Sequence, residues 1–253
     1  MKILIIGLSK ISKAFLKNYQ NKQEIEIYSP NSSIEGFTCF NSFKNITSKY
    51  THIFLGCKPQ NIENVASVLP QNCYNNDTIF ISVLAGTTTA KISKIFNIKK
   101  IFRIMPSIAF EFGQSFIAWY TTELNQEEIE EIKTHFGKNK LIQCKNEDDI
   151  DNFTAFYASG IGFVFEIMNS FFKENLTDYH SNEKREMIIN LFENACNYMK
   201  NNKNLSFNEA VSKVASKGGT TEAGLQVLYD GEINKIAKNA IFNAIKKAKE
   251  LGN

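Results

Sequence analysis

The feature that most constrains this chain is a change of periodicity near residue 147. Before it, short apolar runs alternate with helical patterns; after it, only helical patterns continue. Lys2–Ile6 is short, apolar and β-branched, which predicts a buried strand. Lys10–Tyr19 has helical period, with Ile11, Phe15 and Tyr19 on one face, and Glu24–Tyr28 alternates as a second strand. His52–Leu55, Thr78–Val83 and Lys100–Arg103 predict further strands, separated by helices near Asn61–Val68 and Thr88–Phe96. Gln114–Tyr120 and Lys140–Cys144 read as edge strands around a helix over Gln126–Phe136. This alternation implies a doubly wound, Rossmann-like α/β domain with a parallel sheet and right-handed crossovers. Helical periods then cover about 148–173, 183–202, 206–215, 220–229 and 232–250, with Ser206 and Glu209 spaced as a capping box. The expected organisation is an α/β domain over 1–147 and an all-helical domain over 148–253.

Composition narrows the function classes. The 253 residues suffice for one large or two small domains. A net charge of +3, with no basic run carrying interleaved aromatics, gives no footprint for nucleic acid or an anionic membrane. Five scattered cysteines without a Cys-x-x-Cys pair point to reduced thiols in a cytoplasmic protein, not to a disulfide frame or a zinc site. His52, His135 and His180 lack ligand spacing, so no metal is expected. No membrane span is expected, and Ile3–Ile6 is too short for a signal-peptide core.

Two segments have the character of ligand loops. Gly7-Leu8-Ser9-Lys10-Ile11-Ser12 lies between a predicted strand and a predicted helix, where a dinucleotide fingerprint Gly-x-Gly-x-x-Gly belongs. Only Gly7 is retained, with Ser9 and Ser12 at the other two positions; a plain α/β turn explains the segment equally well. At the end of the second strand, Tyr28–Ser33 holds Ser29 and Asn31 but no acid to grip ribose hydroxyls, which favours a 2′-phosphate and hence NADPH over NADH. Near the other end, Ser216-Lys-Gly-Gly-Thr-Thr221 precedes an apolar run. Gly218 and Gly219 permit close backbone approach, Thr220 and Thr221 add hydroxyls, and a helix N-terminus favours negative charge, so the segment suits a small carboxylate. An ordinary glycine turn with a threonine N-cap is the alternative.

The order of these residues adds a resemblance. Ser216–Thr221 followed by Ala223-Gly224-Leu225 resembles the C-terminal signature of pyrroline-5-carboxylate reductases, with Lys217 where that family usually has proline. Gly56-Cys57-Lys58-Pro59-Gln60, Ser82-Val83-Leu84-Ala85-Gly86, Arg103-Ile104-Met105-Pro106-Ser107 and Ala158-Ser159-Gly160-Ile161-Gly162-Phe163 resemble other blocks of the family in the expected order. The resemblance implies a reductase that makes proline from 1-pyrroline-5-carboxylate with NADPH, NADH being the alternative donor. It puts Gly56–Pro59 and Val83–Ala85 against the cofactor and the substrate carboxylate on Ser216–Thr221, with the ring nitrogen near the Thr221 hydroxyl. Ser107, Ser159 and Gly160 would complete the substrate wall. It also implies a homodimer through the C-terminal helices, with a higher oligomer as an extension. The lost glycines leave a second reading open: a non-catalytic or altered-specificity homologue that binds a nucleotide or a small imino or carboxylic acid.

Overall fold

A computed structural model of the chain describes residues 1–19, 21–173 and 181–252. It divides into two compact units, Met1–Ser159 with Asn243–Asn253, and Gly160–Phe242.

The first unit is built on an eight-stranded sheet. Its strands are β1 (Ile3–Ile6), β2 (Ile25–Tyr28), β3 (Thr38–Phe40), β4 (His52–Leu55), β5 (Ile79–Ser82), β6 (Ile101–Pro106), β7 (Phe116–Thr122) and β8 (Lys140–Gln143), in spatial order β3-β2-β1-β4-β5-β6-β7-β8. Every residue of β1, β4, β5 and β6 is buried, as continuous apolar runs require when both faces of a sheet are covered. Ile3 and Ile5 face one core with Ala14, Phe15 and Leu16 of α1 (Lys10–Asn18) and Ile129 and Ile132 of α4 (Gln126–Thr134). Leu4 and Ile6 face the other, with Ile62 and Val65 of α2 (Ile62–Val68) and Ile92 and Phe96 of α3 (Thr89–Phe96). The doubly wound expectation therefore holds.

Two details differ from the sequence reading. The sheet is mostly, not wholly, parallel, because β7 runs antiparallel to β6. The link between them has only a short 3-10 turn, Ile108–Phe112, ended by Gly113 at φ 75°. Such a link reverses the chain, and antiparallel neighbours need no crossover helix. The edges are β3 and β8, so Gln114–Tyr120 covers an internal strand and the three-residue β3 was not anticipated.

Acidic α5 (Glu147–Phe153) and a π turn (Thr154–Ala158) complete the first unit, together with the C-terminal part of α10 (Ile233–Gly252). The second unit holds α6 (Gly160–Lys173), α7 (Ser181–Asn201), α8 (Phe207–Val214), α9 (Thr220–Asp230) and the start of α10. Ser206 and Glu209 make the expected capping box at α8. No residue of α6, α7, α8 or α9 among those described is buried. By length and composition alone, the helical stretch Glu147–Lys173 is long and apolar enough to cross a membrane, with a mean hydropathy of 1.2 over its most apolar 18-residue window. Its apolar surplus belongs to an uncovered helix face, with Val164, Ile167 and Phe171, at i, i+3 and i+7, exposed.

Candidate functional site

The strand order turns at β1, which pairs with β2 on one side and β4 on the other. The crevice beyond the carboxyl ends of such strands is where open α/β sheets take ligands. Gly7 leaves β1 at φ +94°, and its N–H donates to the Tyr28 carbonyl at 2.9 Å. A Cβ on Gly7 would stand 2.9 Å from both Cα and N of Cys57. Gly56 leaves β4 with its N–H donating to Ile6 at 2.9 Å. The two turns thus touch backbone to backbone.

Ser9 caps α1 with φ −66°, a conformation open to any residue, so its side chain imposes no backbone strain. Its Oγ accepts the Ser12 N–H at 3.1 Å and lies 2.9 Å from Ser12 Oγ. Ser12 is fully buried, and a Cβ on Gly56 would meet its Oγ at 2.1 Å. The fingerprint's third glycine lets helix and strand approach. Here that role has passed across the crevice to Gly56. Leu8 and Ile11 pack on the core, while Lys10 is exposed. The N–H groups of Lys10 and Ile11 open α1, where a helix has no internal acceptors for them.

Beyond β2, a depression of about 420 Å³ is lined by Ser29, Pro30, Asn31, Ser32, Ser33, Cys39, Phe40, Asn41 and Asn45. Its lining contains hydroxyls and amides and no carboxylate. Ser29 is buried, bonded through N–H to Phe40 at 2.9 Å and through Oγ to Ser32 Oγ at 2.8 Å. After β4, burial pushes the Cys57 thiol up to about 11, so it stays protonated. Lys58 is exposed and extended before Pro59, which starts a 3-10 turn. After β5, Val83 donates to Leu55 at 3.3 Å, Leu84 is buried and Ala85 packs near Met105 and Ile150.

The expected substrate-side residues are placed as follows. Ser107 is buried, its Oγ 3.0 Å from Ser115 Oγ. Ser159 is exposed and closes the π turn through its N–H to Thr154 at 2.8 Å. Gly160 opens α6, and a Cβ there would meet nothing within 4 Å. In the second unit, Gly219, not a threonine, is the N-cap of α9, and it has no side-chain cap. Thr220 and Thr221 are the exposed first two residues of the helix. Gly218 turns at φ +74° and donates to Glu222 Oε2 at 2.7 Å, and Gly219 donates to the Ser216 carbonyl at 3.0 Å.

Residues 147–251 match the family described as pyrroline-5-carboxylate reductase dimerisation. Over nearly its whole length the chain is similar to curated pyrroline-5-carboxylate reductases. That of Staphylococcus haemolyticus is 27% identical over 271 residues, covering 99% of this chain and 98% of the relative. That of Staphylococcus epidermidis is 25% identical over 270 residues with the same coverage. The matched C-terminal segment is that of a pyrroline-5-carboxylate reductase dimerisation domain. Solved structures share the fold. The Plasmodium falciparum pyrroline carboxylate reductase, with NADP bound, superposes with TM-score 0.87 at 17% identity, covering 100% of this chain and 98% of that one. The Streptococcus pyogenes reductase gives TM-score 0.81 at 24% identity, covering 99% and 98%.

The sequence pattern assigned no role to one cluster. Arg103, on β6, is fully buried, with Nη1 donating to Glu147 Oε1 at 3.1 Å and Nη2 to Asp151 Oδ1 at 2.6 Å. The available signal was an arginine inside the apolar run Ile101-Phe-Arg-Ile-Met105, because a buried guanidinium must find carboxylates. His52 is buried at the start of β4, with half-buried His135, the C-cap of α4, 6.4 Å from it ring to ring, and His180 lies outside the described residues.

Proposed function

We propose that this protein reduces 1-pyrroline-5-carboxylate to proline with NADPH, as a cytoplasmic enzyme of proline biosynthesis. The observation that carries the reading is the Ser216–Thr221 loop. It presents an uncapped helix N-terminus with two hydroxyls on its first turn, behind a glycine at φ +74°. A carboxylate is favoured at such a terminus, and the Thr221 hydroxyl on its first turn would meet the ring nitrogen.

The crevice fits a dinucleotide. Gly7 and Gly56 keep the two turns close, the first-turn N–H groups of α1 suit a pyrophosphate, and the depression at Ser29 and Asn31 has no carboxylate to repel a 2′-phosphate. Leu8, Ser9, Lys10, Ile11 and Ser12 would carry the pyrophosphate side, and Gly56–Pro59 with Val83–Ala85 the opposite wall. NADPH supplies the hydride; NADH is the weaker alternative. A protonated imine is already electrophilic, so the residues need only position it and exclude water. Substrate contacts would come from Ser107 and Ser159 and from Gly160, Ser216, Gly218, Gly219 and Thr220, with Thr221 holding the imine nitrogen. Residues 148–253 would pair two copies of the chain, which can extend to a higher oligomer.

A second reading, a non-catalytic homologue, is favoured by one observation: Ser9 Oγ is already engaged with Ser12. The experiment is calorimetric titration with NADPH and NADH, followed by an NADPH-absorbance assay with pyrroline-5-carboxylate. Binding with turnover and an NADPH preference supports the reductase. Silence in both measurements supports the non-catalytic homologue, and a clear NADH preference removes the phosphate reading.

A further inference from the structure

The first N–H groups of a helix ordinarily face solvent or ligand. At α3 they do not. Thr89, its first residue, donates its N–H to Glu147 Oε1 at 2.8 Å and its Oγ1–H to Glu147 Oε2 at 3.1 Å. Both oxygens of one carboxylate therefore hold the positive end of this helix, a placement the helix dipole favours. Glu147 Oε1 also accepts from Arg103 Nη1, and Arg103 is anchored a second time by Asp151.

The tie brackets a single loop. Arg103 stands beside Ser82 in the β5–β6 register, and the chain runs from Ser82 through Val83–Ala85 and Gly86 (φ +71°) to Thr88, the cap of α3. One flank of Val83–Thr88 is fixed by the sheet next to Arg103. The other is fixed by Glu147 at Thr89. We propose that Glu147, oriented by Arg103, is a positioning residue for the cofactor. It sets the Val83–Ala85 turn and, by filling the α3 terminus, leaves the α1 terminus as the pyrophosphate site. The inference rests on Val83–Ala85 being a cofactor contact, as in the function proposed above.

Asp151 supplies an internal control, since it holds Arg103 without touching Thr89. The full chain is titrated with NADPH and its thermal unfolding recorded for wild type, Glu147→Gln, Thr89→Val and Asp151→Asn. Glu147→Gln should raise the NADPH Kd about tenfold, one charge-assisted hydrogen bond being lost at the turn. Thr89→Val keeps the backbone N–H and should raise Kd about threefold while folding normally. Asp151→Asn should lower the unfolding temperature as much as Glu147→Gln but leave Kd within about twofold of wild type. Wild-type binding with unchanged Kd in Glu147→Gln and Thr89→Val overturns the proposal alone, as do equal rises in Glu147→Gln and Asp151→Asn. A wild type that does not bind NADPH overturns the cofactor reading and this proposal with it.

Discussion

Gly56→Ala should damage this protein, and Ser12→Ala should repair it. The added Cβ would stand 2.1 Å from Ser12 Oγ, 3.1 Å from the Gly7 carbonyl and 3.3 Å from Phe54 Cε1. Only the first contact is impossible, and Ser12 has no exposed surface into which its hydroxyl can turn. Relief requires breaking the 2.9 Å bond between Ser12 Oγ and Ser9 Oγ or moving α1 off the sheet. Overpacking of this kind costs about 1–3 kcal/mol, and the lost hydrogen bond about 1 kcal/mol more. Ser12→Ala removes the obstructing atom and one hydrogen bond but gains helix propensity, so alone it should stay within about 1 kcal/mol of wild type. In the double variant only the two longer contacts remain, and stability should return close to that of Ser12→Ala. The expected coupling is therefore close to the whole cost of Gly56→Ala, about 2–4 kcal/mol, measured as a double-mutant cycle by urea unfolding at one fixed protein concentration. NADPH titration of the same four proteins should follow the same pattern. A Gly56→Ala variant within about 0.5 kcal/mol of wild type, or strictly additive effects, would refute the claim that Gly56 has taken over the fingerprint glycine's role.

Three further outcomes are expected. Thr221→Ala should lower turnover about tenfold to a hundredfold while leaving the NADPH Kd unchanged, and equal kinetics would remove Thr221 from the site. Light scattering should show at least a dimer at micromolar concentration, because Phe165, Phe207 and Val227 are 57%, 77% and 71% exposed; Phe165→Glu should shift it toward monomer, and a monomeric wild type would contradict the pairing. Burial, His135 and the chain's amino group lower the His52 pKa from 6.5 to about 4, against an opposing pull from Glu128. Between those values the unfolded chain binds more protons, so this contribution to stability is full above pH 6.5 and falls as the pH drops toward 4. At about 1.4 kcal/mol per pH unit the loss is at most about 3.5 kcal/mol, and a His52→Gln variant with the wild-type pH slope would exclude His52 as its source.

The sequence showed clearly what depends on local pattern. Ile3–Ile6 and His52–Leu55 are apolar on both faces, and both are central strands. Thr38–Phe40 escaped because it is three residues long and only partly buried, so it carries no period. The direction of β7 escaped for a different reason: parallel and antiparallel strands share one apolar pattern, and orientation is set by the connecting link. At the site, the glycine loop before α9 was readable, and the alternative of a threonine N-cap differs from the structure, where Gly219 holds the position.

The substitutions at Ser9 and Ser12 show why a fingerprint read residue by residue underestimates a site. Ser9 sits at φ −66°, so the missing second glycine removes no conformation that the turn uses. Ser12 needs space beside it, and that space comes from Gly56, far along the chain. The requirement imposed by a dinucleotide crevice is close approach of two turns and one helix start, not glycine at three fixed positions. Two glycines, Gly7 and Gly56, meet it from opposite sides of the strand-order reversal. The same reasoning applies to the helical half. Its periodicity marked helices, while the depth of their apolar faces showed only once no residue of α6–α9 proved buried. A set of helices with exposed phenylalanines and no buried member leaves its apolar surface in water unless another surface covers it, and a second copy of the same faces supplies that cover at no added sequence cost.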